Sequence, residues 1–302
     1  MTRPAAMAAT DAIDQVPAES STIDAVGDRR FSQAQCAALF EAVLIDDDVD
    51  AHTELPERIT LDFDQALLLD CYGLCRQLWL SGVERGDLIR LNVVLLRDRD
   101  LDPFDRLQFK HVRAKFKHLR FAHALYGKGH DYPMLLDWLT TLLGQLQDAF
   151  KTKQAGTVWR RAMLCRLFLA RGSWRLLRNE LDRLQPTTSA GFREYMARQV
   201  TTLEGVLAQD LLTGAQFHAT RKIASRLVSF YDTLRTISPS EQAYKMSRYL
   251  AAINGLMGTM HDDLVERRIA GLQDYHSHPF ALPHEIRERL TKLVARFRIA
   301  GL

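Results

Sequence analysis

Residues 102–302 are a succession of long segments with apolar side chains at helical spacing, each closed by an isolated Gly or Pro signal. This pattern leaves little room for a sheet. The segments fall near 104–126, 132–151, 156–170, 172–184, 190–211, 214–236, 240–270 and 283–299. Gly127-Lys128-Gly129, Gly156, Gly172, Pro186, Gly214 and Ser238-Pro239 separate them. Asp102-Pro103 is a strong helix start, because Asp can accept from the first free N–H groups and Pro is preorganised for the first helical position. Upstream, 31–44 (with Ser32 as its cap), 62–80 and 84–97 read the same way, and runs rich in Val, Ile and Thr are almost absent. The expected fold is all-α, built from antiparallel helix hairpins, with an additional N-terminal helical segment.

Charge divides the chain more sharply than hydropathy does. The net charge of +3 conceals an acidic stretch, 1–105, with 9 Lys/Arg against 21 Asp/Glu, and a basic stretch, 106–302, with 31 against 16. Three regions follow: a tail at 1–29 expected to be flexible, an acidic helical region at 30–102, and a basic helical domain at 103–302. Such asymmetry points to a polyanion partner, or to an acidic segment that folds back on the chain's own basic surface or meets a protein partner. No apolar run reaches the length of a membrane span, and 1–27 has no signal-peptide core, so a cytoplasmic chain without membrane contact is expected. Cys36, Cys71, Cys75 and Cys165 lack zinc-site spacing and read as free thiols.

The most informative stretch runs from Arg106 to Lys128, with seven Lys/Arg, three His and no acidic residue. At 100° per residue, Lys110, Arg113, Lys117 and Arg120 share an arc of about 80°, and Phe109, Val112, Phe116 and Leu119 form the neighbouring arc. One seam packs while the adjacent stripe is cationic. Like charges at i,i+3 and i,i+4 repel by a few tenths of a kcal/mol each, so something anionic should compensate. Carboxylates on a neighbouring helix, a bound polyanion and a merely solvated face all fit this pattern. A second basic helix sets Ile223, Leu227, Phe230, Tyr231 and Leu234 on one face and His218, Arg221, Lys222 and Arg226 across the other. Arg171, Arg175 and Arg178 add a third stripe, suited to phosphate because a guanidinium donates two parallel hydrogen bonds. Trp159 and Trp174 read as core or groove edge.

The two basic helices head an internal repeat: a basic helix, a connector, then an apolar helix ending in Gly-x-x-x-Asp, Gly144 to Asp148 in the first copy and Gly258 to Asp262 in the second. The second copy carries Phe217-His218-Ala219-Thr220-Arg221 and Ser225-Arg226-Leu227-Val228. The first carries Lys110-His111-Val112-Arg113 and Lys117-His118-Leu119-Arg120. Over about 104–300 this order resembles the CHAD domain, a histidine-containing α-helical family associated with inorganic polyphosphate. The family pattern is His-x-x-Arg, then Lys/Arg-Arg-Leu-Arg, then Gly-x-x-x-Asp. Here Lys110 stands at the first histidine position, and Ser225 and Val228 replace two expected cations. The resemblance implies two pseudo-symmetric bundle halves around a basic cavity. It also implies non-catalytic binding of polyphosphate or a similar polyanion by Lys110, Arg113, Lys117, Arg120, His218, Arg221, Lys222 and Arg226, with no cofactor and no metal. Asp148 and Asp262 would orient these cations.

Two other classes stay open. A protein-interaction scaffold that has lost the ligand site fits the missing cations of the second copy. An enzyme is suggested by Asp46-Asp47-Asp48-Val49-Asp50, which contains the Asp-Asp-x-x-Asp of isoprenoid synthases but lacks their Arg-Arg-Gly, and by His261-Asp262-Asp263, an incomplete metal dyad. Nucleic acid is expected only as a nonspecific partner.

Overall fold

The computed structural model describes residues 31–44, 50, 52–272, 274 and 278–302. The tail at 1–29 and most of the acidic run at 46–50 therefore lie outside the described residues. Eleven helices account for the described chain: α1 (Gln33–Leu44), α2 (Gln65–Gly82), α3 (Arg85–Asp98), α4 (Pro103–Tyr126), α5 (Met134–Lys151), α6 (Ala155–Phe168), α7 (Arg171–Leu181), α8 (Ser189–Leu207), α9 (Gly214–Ile237), α10 (Glu241–Ile269) and α11 (His284–Ile299). Among the described residues there is no strand, only two isolated bridges, Gly127 with Pro186 and Leu212 with Phe280. No helix is long and apolar enough to cross a membrane.

The ends of these helices follow the local chemistry. Asp102 accepts from Asp105 N at 2.8 Å and Pro103 opens α4. Thr213 and Gln216 form a reciprocal capping box at α9. Ser32 accepts from Gln35 N at 3.2 Å, as expected for the start of α1. Several boundaries shift by up to four residues from the sequence reading, and two of them show the cause. α2 begins at Gln65 rather than 62, because Asp64 accepts from Leu67 N at 2.7 Å and Phe63 belongs to an extended segment. There Phe63 is buried edge-on against Phe230, at 5.2 Å between ring centres. α8 stops at Leu207 rather than 211, where Arg287 donates to Leu207 O and Gln209 O, both at 2.7 Å. Free carbonyls at a helix end are satisfied this way.

One apolar core runs through all the helices, from Phe31 and Leu39 of the acidic region to Phe297 of α11. α1 packs on α4 and α9, and α2 packs on α4. The acidic helices therefore share their interior with the basic ones. Trp174 stacks on Trp79 at 5.9 Å and is a core residue, whereas Trp159 is about half exposed.

Candidate polyanion groove

The apolar seam of α4 fixes where its cations point. Phe109, Val112, Phe116 and Leu119 are all buried, with Phe109 edge-on to Phe150 of α5 and Phe116 edge-on to Trp79 of α2. His118 then pins α4 to α9. Its Nδ1 lies 3.0 Å from Ser229 Oγ and its Nε2 lies 3.2 Å from Thr233 Oγ1 and 3.3 Å from Cys75 Sγ. Burial pushes its pKa down to about 3, with Lys117 adding to the effect, so this ring is a neutral structural bridge. His123 is likewise buried, with Tyr72 Oη at 3.3 Å, and its pKa falls to about 4. Two of the three histidines in the most basic stretch therefore belong to the core. Lys115, outside the stripe, donates to Gly82 O at 2.9 Å and covers the Phe40 ring, closing the end of α2.

The stripe itself lines the seam between α4 and α9. Lys110, Arg113 and Lys117 face a narrow cleft whose far wall is Ser225, Val228, Ser229 and Asp232 of α9, with Val43 and Leu44 of α1 beside it. Asp232 is buried and accepts from Ser247 Oγ at 2.6 Å. Along this part the positive charge comes from α4 alone. Further along, both helices contribute. Arg120 donates to Asp137 of α5 at 2.9 Å and lies over the Tyr132 ring, 4.9 Å from its centre. Arg226 donates to the Tyr132 hydroxyl at 2.8 Å and to Gln199 Oε1 at 2.6 Å. Arginines from two distant segments thus converge on one tyrosine, and each keeps a buried Nε without a hydrogen-bond partner among the described residues.

The titratable groups register the same convergence. His218 has its pKa lowered to about 4, first by burial and then by Lys222, His261, Arg221 and Arg120. Lys222 is also shifted down, by burial and then by Arg120, with Asp137 opposing. The His261 ring centre lies 6.2 Å from that of His218, and its pKa falls through burial and Arg221, against the pull of Asp262 and Asp148. Asp137 thus acts on Lys222, and Asp262 and Asp148 act on His261.

Each Gly-x-x-x-Asp glycine is covered by an arginine of the preceding basic helix. Arg113 rests over Gly144, where a methyl group would sit 3.2 Å from its Nη2. Arg221 rests over Gly258, where a methyl group would sit 3.4 Å from its Nη2. The arginine of each basic helix thus lies on the glycine of the Gly-x-x-x-Asp that follows it. Arg113 also donates to Gln147 at 3.3 Å.

The structure thus brings Arg120, His218, Arg221, Lys222 and Arg226 into one electrostatic cluster, with Lys110, Arg113 and Lys117 extending it along α4. Tyr132, Asp137, Gln199 and His261 complete the neighbourhood without having been singled out as binding residues. Asp137, a lone acid beside a basic helix, was the one that charge pattern could have flagged. Among the described residues no group of three or more His, Cys, Asp or Glu is placed to hold a metal ion. The buried thiols of Cys75 and Cys165 have their pKa pushed up to about 12 by desolvation, which suppresses thiolate chemistry. Comparison with protein-family models, with curated proteins and with solved structures gives no match.

Proposed function

We propose that residues 104–300 form a divergent CHAD-like domain that binds inorganic polyphosphate, or a similar phosphate-rich chain, along the α4–α9 groove without chemically altering it. One observation carries this reading. Arg120 and Arg226, from helices far apart in sequence, meet at Tyr132 beside Lys222, and Asp137 is the carboxylate paired with Arg120. A linear polyanion would run from this end along Lys117, Arg113 and Lys110. The stacked Arg113–Gly144 and Arg221–Gly258 contacts support two related halves. Affinity would come largely from counterion release, as for other phosphate chains, and so should weaken steeply with salt. Calorimetric titration with long-chain polyphosphate at about 50 and 200 mM salt tests the reading. Saturable binding that weakens between the two supports it, and absence of binding at the lower salt refutes it.

A second reading, a helical protein-interaction scaffold, is favoured by the far wall of the cleft, where Ser225, Val228 and Asp232 supply no cation and Val43 and Leu44 of the acidic region stand alongside. A specific protein partner, met through the acidic N-terminal region and retained in excess polyphosphate, would select it. Nucleic acid binding would be nonspecific and displaced by polyphosphate in a gel-shift competition.

A further inference from the structure

We propose a second anion site, separate from the groove, in the hollow between the start of α3 and the outer face of α7, which takes a phosphate group. Arg85, Arg171, Arg175 and Arg178 line this hollow, with Trp174 and Asp182 beside them. Arg171, Arg175 and Arg178 recur at i, i+4 and i+7, so the three guanidinium groups emerge from one helix face. Between Ala149 and Asn179 the sequence has eight Lys/Arg and no Asp or Glu.

The acids that follow in sequence, Glu180 and Asp182, both have partners, Asp182 at the hollow itself. Glu180 accepts from Leu135 N and Leu136 N at 2.9 and 3.1 Å, at the start of α5. Asp182 accepts from Arg76 Nη2 at 2.6 Å. Among the described residues, Arg171, Arg175 and Arg178 enter no ion pair.

Several features shape the hollow. Arg85 is held at its edge by donating Nε to Leu169 O at 2.8 Å. Trp174, stacked on Trp79, gives it a rigid side. Ala170 precedes α7 and offers no side-chain acceptor to the first-turn N–H groups, which therefore remain available to an anion along with Arg171. Planar guanidinium groups pair two hydrogen bonds with two oxygens of one acceptor. A phosphate, with three or more oxygens and higher charge, engages several such forks at once where a carboxylate engages one. The ligand is therefore a phosphate group, carried by a free oligophosphate or by a phospholipid headgroup. None of these residues belongs to α4 or α9, so the site does not depend on the groove.

The test compares the full-length chain, Arg175→Ala/Arg178→Ala, the groove variant Lys117→Glu/Lys222→Glu and the variant that carries all four substitutions. Each is titrated with inorganic pyrophosphate and, separately, sedimented with phosphatidic acid vesicles in phosphatidylcholine. Both arginines are exposed, so helical circular dichroism should be unchanged in their variant. The proposal expects pyrophosphate binding by the groove variant, weakened about tenfold or more when Arg175→Ala/Arg178→Ala is added to it. If pyrophosphate fails but vesicle binding is present and lost with the same two substitutions, the phosphate comes from a lipid headgroup. The proposal is overturned if neither probe binds, or if both bind equally well without Arg175 and Arg178. Loss of groove binding with this result intact would overturn the groove alone.

Discussion

α4 and α9 are alike in length and capping but carry different charge. Each has 24 residues, starts at a side-chain cap and sets an arginine on the glycine of the helix after it. α4 keeps Lys110, Arg113, Lys117 and Arg120 over about three turns, the first three facing the cleft, whereas α9 presents Ser225, Val228 and Asp232 to it. The reason lies in packing. α9 is pressed against α10 along most of its length and also meets α1, α2, α4 and α8. Val228 and Ser225 are buried, and Ser225 donates to Asn254 Oδ1 at 2.6 Å. A cation at such a position has to be paired or expelled, so charge survives on a repeated helix only where one side stays open.

The largest expected effect breaks this comparison directly. Val228→Lys places a cation on α9 where α4 has one, and it should destabilise the protein by about 3 kcal/mol or more, since the charge enters a packed site. The reverse exchange on α4, Lys117→Val, should change denaturant-induced unfolding by well under 1 kcal/mol. Next comes binding. Lys110→Glu/Lys117→Glu should weaken polyphosphate binding by about two orders of magnitude at low salt, and should flatten the plot of log affinity against log salt by roughly one unit per lost contact.

The histidines sharpen the comparison through pH. His118 on α4 and His218 on α9 are both depressed, to about 3 and about 4, from an ordinary value of 6.5. Between those limits the unfolded chain binds more protons than the folded one, so stability is complete above pH 6.5 and falls as pH drops toward 4. His118→Gln should flatten much of that decline in denaturation curves, because His118 is the buried bridge. His218 should instead report on the ligand. A bound polyanion offsets Lys222, Arg221 and Arg120, raises the His218 pKa and draws in a proton, a fractional uptake measurable at about pH 5–6 by calorimetry in buffers of different ionisation enthalpy. Smallest is the pair of glycine substitutions. Gly144→Ala crowds Arg113 more closely than Gly258→Ala crowds Arg221, so the first should reduce affinity a few-fold and the second hardly at all, while each adds up to about 1 kcal/mol of helix stability.

The helices were legible in the sequence because their periodicity and caps are local: Asp102, Ser32 and the Gly and Pro punctuation lie within a few residues of the ends they set. Of the boundaries that moved, the end of α8 depends on a distant group, Arg287 on its last carbonyls, whereas the start of α2 is set by the local cap Asp64. The cation stripe of α4 was equally legible, being set by residues three and four apart. The roles of the side chains around it were not. Charge pattern gives no sign that His118 crosses to Ser229, that Lys115 turns back to Gly82, or that Tyr132 gathers Arg120 and Arg226. Those contacts join residues separated by long stretches of chain, and only packing decides them.

The joint site requires α9 to supply binding charge even though most of its length is buried. The affinity of Lys222→Glu for long-chain polyphosphate at low salt is the most direct check. The two-helix groove predicts at least a tenfold loss with unchanged helicity. Affinity equal to that of the unaltered chain would mean that α4 acts alone, or that the ligand lies elsewhere.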